Sequence, residues 1–98
     1  MGQSDQARKE AETLYFEGVR QMQAGDLSSA EDHFRQALQQ LPDFAEACLN
    51  LGFLLNQRGD TTGAEQCYRR SIASDASCPQ AHLNLGAILA ARKQFGEA

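Results

Sequence analysis

Cys78 and His82 stand four residues apart, a spacing that on a helix brings a thiol and an imidazole to one face, as metal ligation requires. Two ligands do not make a site, and the pair is read as small residues packed at a helix contact. Cys48 and Cys67 bring the thiols to three, an odd number without C-x-x-C spacing, so neither a disulfide framework nor a zinc knuckle is indicated. A reducing compartment, and with it a cytoplasmic location, is the expectation. Ser28, Ser29, Ser71, Ser74 and Ser77 fall where capping or solvation explains them, and His33 and His82 fall within helical stretches. With no Gly-rich phosphate loop and no nucleophile beside a base, no catalytic residue, metal or cofactor is assigned, and the chain is not expected to be an enzyme. Asn50 and Asn84 carry a different chemistry. Each side-chain amide offers a donor and an acceptor, which together can satisfy the C=O and N–H of a peptide bond and so recognise backbone rather than sequence. Both sit in the same four residues, Leu-Asn-Leu-Gly, at 49–52 and 83–86.

Composition narrows the class of partner. A formal charge of −4 and a pI near 5.0, with nine scattered cations, argue against nucleic acid, whose phosphates are held by clustered Lys and Arg. No apolar run approaches the roughly 20 residues that span a bilayer, so no membrane association is expected. Met1-Gly2 lacks the Ser or Thr at position six that myristoylation wants, since Gln6 stands there. The mixture of 42% hydrophobic and 22% charged residues is that of one small folded domain.

The elements that would position the asparagines repeat with them. A shift of 34 residues superposes Gly18 on Gly52 and Gly86, Gly25 on Gly59, Ala30 on Ala64 and Phe34 on Tyr68, and "GDLSSAE" at 25–31 on "GDTTGAE" at 59–65. Each unit reads as two helices and a tight turn. Ala45–Arg58 is apolar nearly all round, as suits a helix between neighbours. Gly59 then takes a left-handed turn and Asp60 caps the next helix, as Gly25 and Asp26 do one unit earlier. Over Leu27–Leu41 the residues Leu27, Ala30, Phe34, Ala37, Leu38 and Leu41 share one face, and Pro42 ends the helix. Gly63, inside a helix, should cost about 1 kcal/mol relative to Ala.

Read in units from Ala11, Ala45 and Pro79, the chain resembles the tetratricopeptide repeat, which has small residues at positions 8, 20 and 27, an aromatic at 24 and proline at 32. Gly18, Ala30, Phe34, Ala37 and Pro42 match in the first unit. Leu51, Gly52, Leu55, Gly59, Ala64 and Tyr68 match in the second, which departs at Ser71 and Ala76, and Leu85, Gly86, Leu89 and Ala98 match in the third. The resemblance implies an all-α fold, a right-handed superhelical solenoid of antiparallel helix pairs. It divides one domain into an extension at 1–10, repeats at 11–44 and 45–78, and an incomplete repeat at 79–98. Glu17 and Gln21 at usually apolar positions, and a polar stretch at 3–12, suit the start of an array. The last helix, Pro79–Lys93 with Leu83, Leu85, Ile88 and Leu89, is expected to leave apolar surface uncovered, the natural chain to continue, and the open end to support homo-oligomers.

In the family, first helices line a concave groove that binds proteins or extended peptides. The implied stripe is Glu12, Phe16, Val19 and Gln23 in unit one, Glu46, Asn50, Phe53 and Gln57 in unit two, and Gln80, Asn84, Ala87 and Ala91 in unit three, with Tyr15 beside it. Asn50 and Asn84 are similar to the asparagine ladder of the transferase that adds O-linked N-acetylglucosamine, where the amides hold an extended peptide. An alternative is that they bond only neighbouring helices or water. The carboxylate clamp for acidic chaperone tails is not expected, because its basic positions hold Tyr15, Gln80 and Asn84, and Val19 replaces its first asparagine. The expected function is thus a protein-binding scaffold. The alternatives are a substrate-presenting arm of a larger enzyme such as a glycosyltransferase, or a self-associating assembly module.

Overall fold

In the computed structural model, residues 2–94 are described; side chains are described for 5–93. Five helices follow one another: α1 Gly2–Gln23, α2 Leu27–Gln40, α3 Ala45–Gln57, α4 Thr61–Ser74 and α5 Pro79–Gln94. They end within a residue of the boundaries expected for α2, α3 and α5. The anticipated extension at 1–10 is helical from Gly2 and continuous with repeat one, because no Gly or Pro interrupts 3–17 and Gln6 bonds Glu10 one turn on. The expected start of a further helix at 95–98, with Ala98, lies outside the described residues.

The two within-unit turns are copies. Gly25 and Gly59 take φ of 88° and 94°, which only glycine adopts freely. The following Asp26 and Asp60 donate their N–H to Gln21 O and Leu55 O, closing the helix end, while their side chains cap α2 and α4. Asp60 accepts from Gly63 N at 2.9 Å, whereas Asp26 accepts from Ser29 N at 3.3 Å. A Cβ at Gly63 would stand 2.6 Å from the Asp60 carboxylate, so this glycine admits a tighter cap and is not simply a weak point in α4.

Packing explains the remaining periodic residues. Ala30, Phe34, Ala47, Cys48, Ala64 and Tyr68 are buried in one continuous core running through both complete units, with α3 contributing Leu51, Leu54 and Leu55 as well. A Cβ placed on Gly18 would lie 2.6 Å from Phe34 Cε1, and one on Gly52 would lie 2.7 Å from Tyr68 Cε1. The glycine in α1 or α3 and the ring in its partner helix therefore occupy one nest, and the helices approach as closely as they do because the Cβ is missing. Burial pushes the Cys67 thiol in this core up to about 11, with the neighbouring Cys48 adding to the effect, so neither buried cysteine is poised to react.

Both departures of the second unit from the family pattern have physical reasons. Ser71 is fully buried and donates its hydroxyl to Ala45 O at 3.0 Å, tying α4 to the start of α3. Ala76 lacks the helix-ending role of Pro42. In its place Asp75 accepts from the Ser77 N–H at 3.2 Å and hydroxyl at 2.7 Å, a side-chain turn that halts α4.

Consecutive units are also joined by charge. Glu31 on α2 binds Arg35 on its own helix at 2.9 Å and Arg58 at the end of α3 at 3.1 Å. One period later Glu65 on α4 binds Arg69 at 3.0 Å and Arg92 on α5. The paired arginines hold the Glu65 carboxyl below the usual carboxylate range, chiefly through the Arg92 and then the Arg69 hydrogen bonds. With extents of 49 × 29 × 18 Å the molecule is a short open stack.

Candidate functional site

The first helices of the three units, α1, α3 and α5, carry the expected stripe. Glu12, Phe16, Glu46, Phe53, Gln57, Gln80 and Ala87 are exposed on it, while Tyr15, Val19, Asn50 and Asn84 are half-buried. Large apolar groups stand in solvent here: Phe16 is 64% exposed, Phe53 43%, and Leu83, beside the stripe on α5, 67%. Leu89 is exposed as anticipated, but Ile88 is buried, since α5 turns that side toward α4.

Tyr15 is a support and not an open surface. Its ring packs on Phe44 with centroids 5.0 Å apart, on Phe34 at 5.8 Å, and edge-on against Phe16 at 5.3 Å and 67°. The Asn50 side-chain N–H donates to the Tyr15 hydroxyl across the α1–α3 boundary at 3.4 Å, a long and therefore weak bond. Burial raises the Tyr15 phenol pKa, the Asn50 bond opposes that, and the Glu46 charge adds to it. In the next unit Asn84 faces the Tyr68 phenol, whose pKa burial raises and the Asn84 amide pulls back. The Asn84 carbonyl accepts from the Gln80 side chain at 3.0 Å.

The two asparagines thus meet the same chemistry from different places. Against Asn50 the phenol comes from α1, with Phe34 filling the aromatic position of α2, whereas against Asn84 it comes from that aromatic position itself, Tyr68 on α4. This swap was not visible beforehand, because it depends on which side chains adjoin across a unit boundary. The Asn50 carbonyl accepts no hydrogen bond from the described residues, so that amide is held by a phenol without being fully used, whereas the Asn84 carbonyl is engaged by Gln80.

The other residues with chemical potential are engaged elsewhere. His33 Nδ1 lies 2.7 Å from Gln21 Oε1 and 3.1 Å from Ser29 O, and His82 Nε2 lies 2.8 Å from Ala76 O. Among the described residues no three His, Cys, Asp or Glu side chains gather as a metal site would need, and no helix is long and apolar enough to cross a membrane.

Comparison with known proteins agrees with this architecture. No curated protein matches the sequence. The solved structure of MamA is similar in fold, with a TM-score of 0.80 at 20% identity; the match covers 90% of this chain and half of that one. A family model for the tetratricopeptide repeat matches residues 21–88, over two thirds of the sequence. Repeated helix pairs, glycine–aromatic nests and this match lead to one assignment: the chain belongs to the tetratricopeptide-repeat family.

Proposed function

We propose that the chain is a protein-interaction module that holds an extended segment of another protein along the stripe on α1, α3 and α5, with units at 11–44, 45–78 and from 79 onward supplying it. Membership of a family of protein-interaction scaffolds supports this function in outline. The observation that carries the finer proposal is the exposure of Phe16, Phe53 and Leu83 along one side, next to the Asn50 amide with hydrogen-bonding capacity to spare. Large side chains exposed together on a rigid face are costly in water and are the usual anchors of protein contacts. Asn50 and Asn84 then supply backbone recognition once a ligand excludes water. Three unpaired thiols suit a reducing compartment, and the cytoplasm is the proposed location.

Titration of a peptide selected from a display library tests this. Phe53→Ser should weaken it by about 1–2 kcal/mol, roughly five- to thirtyfold in Kd. Asn50→Ala with Asn84→Ala should weaken it by about 1 kcal/mol per lost bond. Gln36→Ser, on the outer face of α2, should leave it unchanged. Equal affinity for all these variants would refute groove binding, and unchanged affinity for the asparagine pair alone would refute the backbone ladder.

A further inference from the structure

The stripe carries charge of a single sign. Glu12 and Glu46, the second residues of units one and two, are exposed, and neither forms an ion pair or accepts a side-chain hydrogen bond among the described residues. Of the other described glutamates, Glu17 pairs with Arg20, Glu31 with Arg35 and Arg58, and Glu65 with Arg69 and Arg92, while Glu10 accepts from the Gln6 amide. The arginines at those contacts hold helix ends and neighbouring units together. Within the three units no Lys or Arg occupies a stripe position on α1, α3 or α5; Arg8, one turn before Glu12 on α1, is exposed and forms no ion pair among the described residues. Glu46 lies in the first turn of α3, where a carboxylate also complements the helix dipole. Glu12 lies in the middle of α1, where no such role accounts for it.

The two carboxylates border the aromatic cluster. Glu12 precedes Phe16 by one helical turn on the same face, and Glu46 precedes Asn50, the hydrogen-bond partner of Tyr15, by one turn on α3. Phe16 stands out from Tyr15 with most of its ring in solvent. An open aromatic face beside unpaired carboxylates attracts a cation twice over, through the ring quadrupole and through the formal charges. Arginine suits it particularly, because its guanidinium can stack on a ring while its edge bonds a carboxylate.

Building on the groove proposed above, we infer that the Glu12, Phe16 and Glu46 corner captures a lysine or arginine side chain of the bound protein segment, whose apolar residues lie toward Phe53 and Leu83. The favoured partner is therefore a basic, apolar stretch of polypeptide. An acidic tail would meet two uncompensated carboxylates, and a neutral one would leave them unused.

Selection of a randomised dodecapeptide display library on the wild-type protein and, in parallel, on Glu12→Gln/Glu46→Gln decides the matter. Both sites are exposed, so the variant should keep its helices, which circular dichroism checks. Wild-type selections should be rich in peptides that combine Lys or Arg with apolar residues. Each should bind the double variant about tenfold more weakly and lose affinity as salt is raised. Peptides that are weakened by Phe53→Ser, yet show no excess of Lys or Arg or bind the double variant unchanged, would overturn the cation site and leave the groove standing. Peptides indifferent to Phe53→Ser, or a library that yields none, would overturn the groove and the cation site together.

Discussion

Replacing Phe34 by alanine is expected to remove about 3–5 kcal/mol of stability, the usual cost of deleting a buried aromatic ring. A domain of this size has only about 5–15 kcal/mol in total, so the variant should be close to unfolded at ambient temperature. The ring has no exposed surface, sits over the backbone of Gly18 and supports Tyr15, through which it reaches the Asn50 amide. Denaturant melts give the magnitude, and a second substitution gives the cause. Gly18→Ala in the wild-type background forces a methyl group to within 2.6 Å of the ring and should destabilise. In the Phe34→Ala background the methyl enters vacated space and also favours the helix, so the same change should stabilise. An unchanged sign would mean that the glycine and the ring are not coupled.

The second large effect is a contrast between equivalent glycines. Gly52→Ala places its methyl 2.7 Å from Tyr68 Cε1, 3.0 Å from Cδ1 and 3.1 Å from the Cys67 Cβ, all belonging to buried residues that cannot swing aside. Gly86→Ala meets nothing within 4 Å. Both changes gain the same helical preference, about 1 kcal/mol, so the difference between their thermal melts isolates overpacking at about 1–3 kcal/mol. Gly86→Ala should raise Tm while Gly52→Ala lowers it. Equal shifts in one direction would show that the close helix crossing of unit two does not depend on the missing side chain.

These nests were the most legible part of the fold. Glycine, alanine and aromatic positions recur at a fixed interval, and each has a steric reason to be where it is, so periodicity with the capping and proline signals located α2, α3, α5 and the turns at Gly25 and Gly59. The charged clips between units were equally periodic, since Glu31, Arg35 and Arg58 recur as Glu65, Arg69 and Arg92. They went unread because an exposed charge on a helix is usually only solvated, and the pairing of Arg58 with Glu31 joins residues from different helices. Gly63 was read from propensity, which cannot register that its missing Cβ makes room for the Asp60 carboxylate. Ser71 looked like a departure from pattern until the Ala45 carbonyl beside it supplied a reason.

The stripe was legible as a set of positions and not as an environment. Helical spacing put Phe16, Asn50, Phe53 and Asn84 on one side, but exposure depends on what the adjacent helix covers. Tyr15 was expected as a groove residue, and it stands half-buried among Phe16, Phe34 and Phe44, holding Asn50 by its hydroxyl. In the proposed groove its place is therefore to position the amide and Phe16.

The direct measurement is an amide-proton NMR footprint of a library-selected peptide on the isotope-labelled protein. The shifts should fall on α1, α3 and α5 around Phe16, Asn50, Phe53 and Asn84, with the Asn50 and Asn84 side-chain amides moving together. Shifts gathered on the outer faces of α2 and α4, with those two amides unmoved, would contradict a binding groove on the first helices.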